Sequence, residues 1–358
     1  MNGEVGSPRR AQVVGVGLIG GSVGMALRSR GWYVTGFDRD EAAAHEAVRL
    51  GALDAVGSDA DAEVCFLAVP VGALGEAVRA ALDGGSGVVT DVGSVKGPVT
   101  TQVVDPRFVG GHPMAGSEQD GVAGSSATLF EGAVWVLTPS ALTDPKAHAL
   151  VHSVVSSLGA EVVTLDPAEH DRVVAMVSHV PHLTAAALMR MAAGRAQEQS
   201  TLLRLAAGGF RDMTRIAAGH PAIWPDICAE NSWAITEVLD ELIAELVLVR
   251  EAVSEGDRSV LLEGLESARS ARQNLPTTAP RAEELIELRI TVPDRPGVLA
   301  RITTLATELG TNIYDIEIAH SAEGPRGVVI LVVGADRSHD LDSALRDEGF
   351  AVAVRVLS

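Results

Sequence analysis

The residues best equipped for chemistry near neutral pH lie in one stretch of eight, Gly111-His112-Pro113-Met114-Ala115-Gly116-Ser117-Glu118. Neutral imidazole is the side chain most ready to take a proton near pH 7. Flanking glycines let backbone approach a ligand closely. His112 therefore reads as a catalytic base, against the plainer reading of a loop histidine satisfied by local hydrogen bonds. Two further polar groups follow at a distance. Ser178-His179-Val180-Pro181-His182 puts two histidines three apart, hence on one helix face. They suit a substrate site, a packed and satisfied pair, or a metal. No Cys or Glu motif completes a zinc set, and no metal is expected. Gly208-Gly209-Phe210-Arg211-Asp212-Met213-Thr214-Arg215 places two arginines around an acid. Arg215 offers a planar fork for a carboxylate, oriented by Asp212; the same spacing also suits a surface salt bridge.

These groups need elements to position them. Ala11-Gln12-Val13-Val14 reads as a buried strand running into Gly15-Val16-Gly17-Leu18-Ile19-Gly20-Gly21-Ser22, then a helix to about Arg30. This is G-x-G-x-x-G in its strand–turn–helix setting. Gly15 makes the turn, Gly17 admits a pyrophosphate, Gly20 lets helix pack on strand, and the helix N-terminus faces the phosphates. The next strand ends at Asp38, which suits ribose hydroxyls and repels a 2′-phosphate. NAD is therefore favoured over NADP, with Arg39 keeping NADP open. An apolar strand ends at Val69-Pro70, where ligands dock in such sheets. The expected cofactor contacts are Gly15, Gly17, Leu18, Ile19, Gly20, Asp38, Arg39, Val69 and Pro70. A strand from Gly87 brings Asp91, Ser94 and Lys96 to the carboxyl edge beside the nicotinamide; Ser94 equally suits a cap for a helix starting near Lys96.

The alternation predicts an α/β Rossmann-type domain over residues 11–166, behind a frayed tail at 1–10. Asp166-Pro167-Ala168-Glu169 starts a helix, and an all-α helical substrate and dimerisation domain covers 167–275. Within it, Trp224-Pro225 opens one long helix to about Val253. Its wide apolar stripe, from Ile227 through Ile235, Val238, Leu239, Leu242, Ile243, Leu246 and Val247, suggests burial against a second copy. After a linker at 276–284, residues 285–358 follow a ferredoxin-like βαββαβ order and read as a ligand-sensing module.

Composition bounds the partners. The 358 residues are 47% hydrophobic, so the chain has globular cores. A formal net charge of −19 argues against nucleic acid or an anionic membrane as partner. A local arginine and histidine pocket still suits a small anion. No apolar run reaches the length of a membrane span, and the polar N-terminus lacks a secretory signal. With Cys65 and Cys228 far apart in apolar contexts, a reducing cytoplasm is expected.

Taken in order, the glycine loop, Asp91-x-Gly93-Ser94-x-Lys96, His112-Pro-Met-Ala-Gly-Ser-Glu118, Ser178-His179-x-Pro181-His182 and Arg211-Asp212-x-Thr214-Arg215 resemble prephenate dehydrogenase over about residues 11 to 275. The last 75 or so residues resemble an ACT domain through Asp294-Arg295-Pro296-Gly297 and Gly310-Thr311-Asn312-Ile313. The resemblance implies NAD-dependent oxidative decarboxylation of prephenate to 4-hydroxyphenylpyruvate, within tyrosine biosynthesis. It implies His112 as base, Ser94 holding His112 or the substrate hydroxyl, and Glu118 orienting its neighbours. It also implies Arg215 on the ring carboxylate, and His179, His182, Asp212, Lys96 and Trp224 around the rest of the substrate. The ACT-like residues Asp294, Pro296, Gly297, Asn312 and Ile313 imply feedback control by tyrosine. Arogenate dehydrogenase remains an alternative within the class. A non-catalytic NAD and amino-acid sensor is the alternative outside it.

Overall fold

The computed structural model describes residues 7–85, 87–117, 119–196, 205–206, 208–219, 221–274, 285–293, 295–320 and 326–356. The chain forms two compact units, Met1–Leu246 and Val247–Ser358.

The first unit opens with β1 (Arg10–Val14), α1 (Leu18–Arg28), β2 (Tyr33–Phe37), α2 (Glu41–Arg49), β3 (Ala55–Val56), β4 (Val64–Leu67), α3 (Leu74–Gly84) and β5 (Val88–Asp91). It continues through α4 (Gly97–Gln102), β6 (Phe108–Pro113), β7 (Val134–Thr138), α5 (Pro145–Ser157) and β8 (Glu161–Thr164). The strands form one sheet in the order β3-β2-β1-β4-β5-β6-β7-β8. The six from β3 to β6 are parallel; β7 turns back antiparallel on β6, and β8 runs parallel to β7. Parallel strands need cover on both faces, so their sequences lose polar alternation. All four residues of β4 and all six of β6 are buried. One core joins Val23 and Leu27 of α1, Ala44 and Ala47 of α2, and Val151, Val154 and Val155 of α5. A separate core joins Leu74, Val78 and Leu82 of α3 to Val99 of α4. Trp135 is wholly buried, tilted on Phe130 at 4.9 Å and edge-on to Phe66 at 6.3 Å.

Local chemistry starts the helices. Asp40, Asp144 and Asp166 accept backbone N–H groups at the starts of α2, α5 and α6 (Pro167–Val174). From α6 the chain runs through a π turn, Ala175–His179, into α7 (Val180–Ala196). Gly208 and Gly209 begin α8 (Gly208–Thr214), followed by a 3₁₀ turn at Arg215–Ala218. The single long helix expected from Trp224 is two, α9 (Trp224–Glu230) and α10 (Ser232–Glu255). Asn231 separates them at φ −113°, ψ 28°, its side chain drawn into a buried polar cluster.

The second unit takes the end of α10, then α11 (Arg258–Gln273), β9 (Leu285–Pro293), α12 (Val298–Glu308), β10 (Ile313–His320), β11 (Arg326–Gly334), α13 (Ala335–Asp347) and β12 (Ala351–Val356). Its antiparallel sheet has the order β10-β11-β9-β12. Leu288, Ile290 and Leu331 of the sheet pack with Ile302 of α12 and Leu341 of α13. This is the expected βαββαβ order. Among the described residues no helix is long and apolar enough to cross a membrane.

Candidate active site

His112 stands on β6, opposite Val136 of β7, and not in a loop as the glycines suggested. Strands β5 and β6 pair only at Val89↔Phe108 and Thr90↔Val109. Beyond that register a buried ion pair replaces the ladder. Asp91 Oδ1 accepts from Gly111 N at 3.1 Å and Oδ2 from Gly93 N at 2.9 Å. Lys96 Nζ bonds to Asp91 and donates to Gly111 O at 2.8 Å. Lys96, which the resemblance implies beside the substrate, is wholly buried, with its amine on Asp91 and Gly111 O. Burial pushes its pKa down, opposed by Asp91. The pair clasps Gly111 and so fixes the backbone that carries His112.

His112 Nδ1 lies 2.8 Å from His170 Nε2, and His170 Nδ1 lies 2.8 Å from Asp171 Oδ1. Asp171 also accepts from Lys96 N at 2.8 Å and Gly97 N at 2.7 Å. Asp171, not Ser94, thus serves the N-terminus of α4. All three relay residues are buried, and His170 and Asp171 completely so. Burial holds the His112 pKa well below its ordinary value, with His170, Lys96 and His179 adding to it. The ring is therefore neutral near pH 7.

Asn231 Nδ2 donates to Asp171 O at 2.8 Å and lies 3.2 Å from His179 Nδ1. Burial pushes the His179 pKa down to about 4, although Asp171 opposes it. Trp224 stacks on His182 at 3.7 Å and meets His179 edge-on at 6.1 Å. A Cβ on Gly219 would lie 3.5 Å from His182 Cε1, which places the turn after Arg215 beside that ring. Arg215 and Asp212 are exposed, and among the described residues no ion pair joins them. Glu118 and Asp294 lie outside the described residues. Among the described residues no group of three His, Cys, Asp or Glu is arranged to hold a metal.

His170, Asp171 and Asn231 escaped the reading of the sequence. The available signal was a histidine beside an acid one turn after the Asp166 cap, which ordinary first-turn chemistry also explains.

The glycine loop fits a dinucleotide. A Cβ on Gly15 (φ +86°) would stand 2.3 Å from Ala68 O, and one on Gly20 1.9 Å from Gly15 O, so both are held by packing. Gly17 has open space where a Cβ would stand, and it gives α1 no side-chain cap. The first-turn N–H groups are left to an anion. Asp38 Oδ2 accepts from Val16 N at 2.8 Å, which fixes the carboxylate at the loop; Arg39 is exposed. A cleft of about 430 Å³ runs from Gly17, Leu18, Ile19 and Gly20 past Val69, Pro70 and Ser94 to Ala222, Ile223, Asp226 and Ile227. A larger hollow of about 530 Å³ extends from Phe37 and Val69 down to Cys65 and Val89. Among the described residues its ionisable lining is Asp59, Cys65 and Glu76, with no histidine.

In the second unit Pro296, Gly297 and Asn312 are exposed and Ile313 is half-buried. Gly297 begins α12 and Asn312 follows its end.

The model of the prephenate dehydrogenase nucleotide-binding domain matches residues 23–164, and that of the prephenate dehydrogenase dimerization domain matches 166–267. The prephenate dehydrogenase of Bacillus subtilis (strain 168) is 34% identical over 341 residues, covering 90% of this chain and 92% of that protein. The chain belongs to the prephenate dehydrogenase family. It is an enzyme with the NAD-dependent dehydrogenase fold, and the ACT domain model matches residues 286–350. The cyclohexadienyl dehydrogenase of Zymomonas mobilis is 35% identical over 279 residues, covering 74% of this chain and 95% of that protein. The crystal structure of Aquifex aeolicus prephenate dehydrogenase with hydroxyphenyl propionate and NAD+ matches with a TM-score of 0.71 at 32% identity, covering 75% of this chain and 99% of that one. Synechocystis arogenate dehydrogenase matches with a TM-score of 0.65 at 32% identity, covering 74% and 98%.

Proposed function

We propose that the enzyme oxidises prephenate to 4-hydroxyphenylpyruvate and carbon dioxide, with His112 as general base. The observation that carries the reading is a buried, neutral imidazole on β6, in a chain of this family, tied through its Nδ1 to a buried histidine and carboxylate. NAD, held by the glycine loop and Asp38, supplies the hydride acceptor. His112 takes the proton of the ring hydroxyl as that C–H bond gives up its hydride, and the O–H electron pair becomes the carbonyl bond. The ring carboxylate then leaves as carbon dioxide, and its bonding electrons make the ring aromatic. The resulting phenoxide takes the proton back from His112, so no net proton is released.

Ser94, which lines the cleft, holds the hydroxyl or His112. Arg215 takes the ring carboxylate through its planar fork, with Asp212 and Glu118 orienting neighbours. His182, His179 and Trp224 form the wall for the remainder of the substrate. Residues 11–166 bind the nucleotide, 167–275 bind substrate and pair two copies, and 285–358 sense tyrosine between copies. Cys65 and Cys228 are free thiols, which suits the cytoplasm. The match to an arogenate dehydrogenase at similar identity makes arogenate the second substrate to assay. NADH formation with each substrate, with and without tyrosine, tests the reading. Turnover with prephenate that falls with tyrosine supports both assignments; turnover with arogenate alone moves the substrate.

A further inference from the structure

We infer that Asp171 and His170 dictate which nitrogen of His112 receives the substrate proton, and that they take up the charge this creates. The inference rests on His112 as base. Asp171 is wholly buried, and its carboxylate accepts from Lys96 N at 2.8 Å and Gly97 N at 2.7 Å. A carboxylate engaged with these donors accepts from His170 Nδ1 as well, so that nitrogen carries the hydrogen. Of two ring nitrogens 2.8 Å apart one must accept, and the lone pair is assigned to His170 Nε2, which faces His112 Nδ1. His112 Nδ1 must donate, and its own lone pair is left on Nε2. A free imidazole would divide between two tautomers; this chain of bonds selects one.

The same bonds handle the product of proton transfer. When His112 Nε2 gains a proton, Nδ1–H points at the lone pair of His170. Moving that hydrogen across 2.8 Å places the positive charge on the ring bonded to Asp171. The reverse shift returns His112 to the state that reprotonates the phenoxide, so the proton count closes. His170 is a positioning residue, because it acts through His112. The backbone of Asp171 is held by Asn231 Nδ2, which donates to its carbonyl oxygen. Among the described residues the charged or titratable groups acting on the two rings are Lys96 (itself paired with Asp91), Asp171 and His179.

Nitrogen NMR of isotope-labelled histidine in the intact protein, beside steady-state kinetics, tests this with His170→Gln and His170→Leu. A glutamine amide can accept from His112 Nδ1–H and donate to Asp171; leucine can do neither. Wild type and His170→Gln are expected to carry hydrogen on His112 Nδ1, with kcat in the glutamine variant within about tenfold of wild type. His170→Leu is expected to lose that preference and to lose kcat by roughly 10²–10³-fold at unchanged KM, as when a base loses its orienting partner. Retention of the Nδ1–H form in His170→Leu would overturn the inference, as would equal kcat losses in the two variants. The NMR readout needs no turnover. Wild-type inactivity on prephenate would therefore reject the substrate assignment and leave the tautomer result to stand or fall alone.

Discussion

At the residue scale, His112 must be unprotonated to work. Its environment keeps it so by burial, aided by neighbouring positive charge. Replacing His112 with Asn should lower kcat by roughly 10²–10⁴-fold, the usual loss for a general base, with KM for NAD little changed. The pH profile carries a sign. A base with a lowered pKa stays competent until the pH falls through that lowered value, so the acid limb of kcat should lie well below 6.5. A limb at 6.5 or above would contradict the burial of the ring. Stability follows the same direction. His112 and His179 titrate lower in the folded protein than in the unfolded chain, so their neutral forms favour the fold above about pH 6.5. That contribution is lost as pH falls through the folded values, about 4 for His179. The unfolding temperature should therefore decline from pH 6.5 to 4, and less steeply in a His179→Gln variant.

At the element scale, two glycines of one loop separate binding from folding. Gly17→Ala adds a methyl to open space, so it should leave the unfolding temperature unchanged and raise KM for NAD. Gly20→Ala drives a methyl into Gly15 O and should destabilise the fold by about 1–3 kcal/mol, read from denaturant unfolding. Asn231→Ala removes one of two donors to Asp171 O and leaves buried His179 Nδ1 without the Asn231 amide, at a cost of about 1–3 kcal/mol. The glycine loop, the sheet and His112 were legible in the sequence because each is local: strand, turn and helix follow one another within a few residues. The relay was not. It joins His112 to His170 across 58 positions and Lys96 to Asp171 across 75. Asn231 likewise looked like one more residue in a helical run, because nothing nearby revealed the buried carbonyl it serves. The bonds of Lys96 to Asp91 and Gly111 were equally hidden, because its position at the strand edge shows none of them.

At the scale of the whole molecule, α10 leaves Ile243, Leu246, Val249 and Val253 each at least half exposed in a single copy. Apolar side chains at that spacing on one long helix are expected to be covered by a second copy, in keeping with the dimerization-domain match. Leu246→Glu combined with Val249→Glu should shift the protein from dimer to monomer in sedimentation, whereas wild type should remain a dimer at micromolar concentration. Such a monomer would also lose the response to tyrosine if the ACT ligand sits between copies. The kinetic expectations lean on one claim, that the site oxidises and decarboxylates prephenate. The most direct measurement follows NADH and carbon dioxide together in purified protein supplied with NAD and prephenate, for wild type and His112→Asn. Oxidative decarboxylation at His112 predicts one carbon dioxide for each NADH in wild type, and loss of both signals in step in the variant. NADH without carbon dioxide, no NADH from protein shown to bind NAD, or a variant as fast as wild type would contradict it.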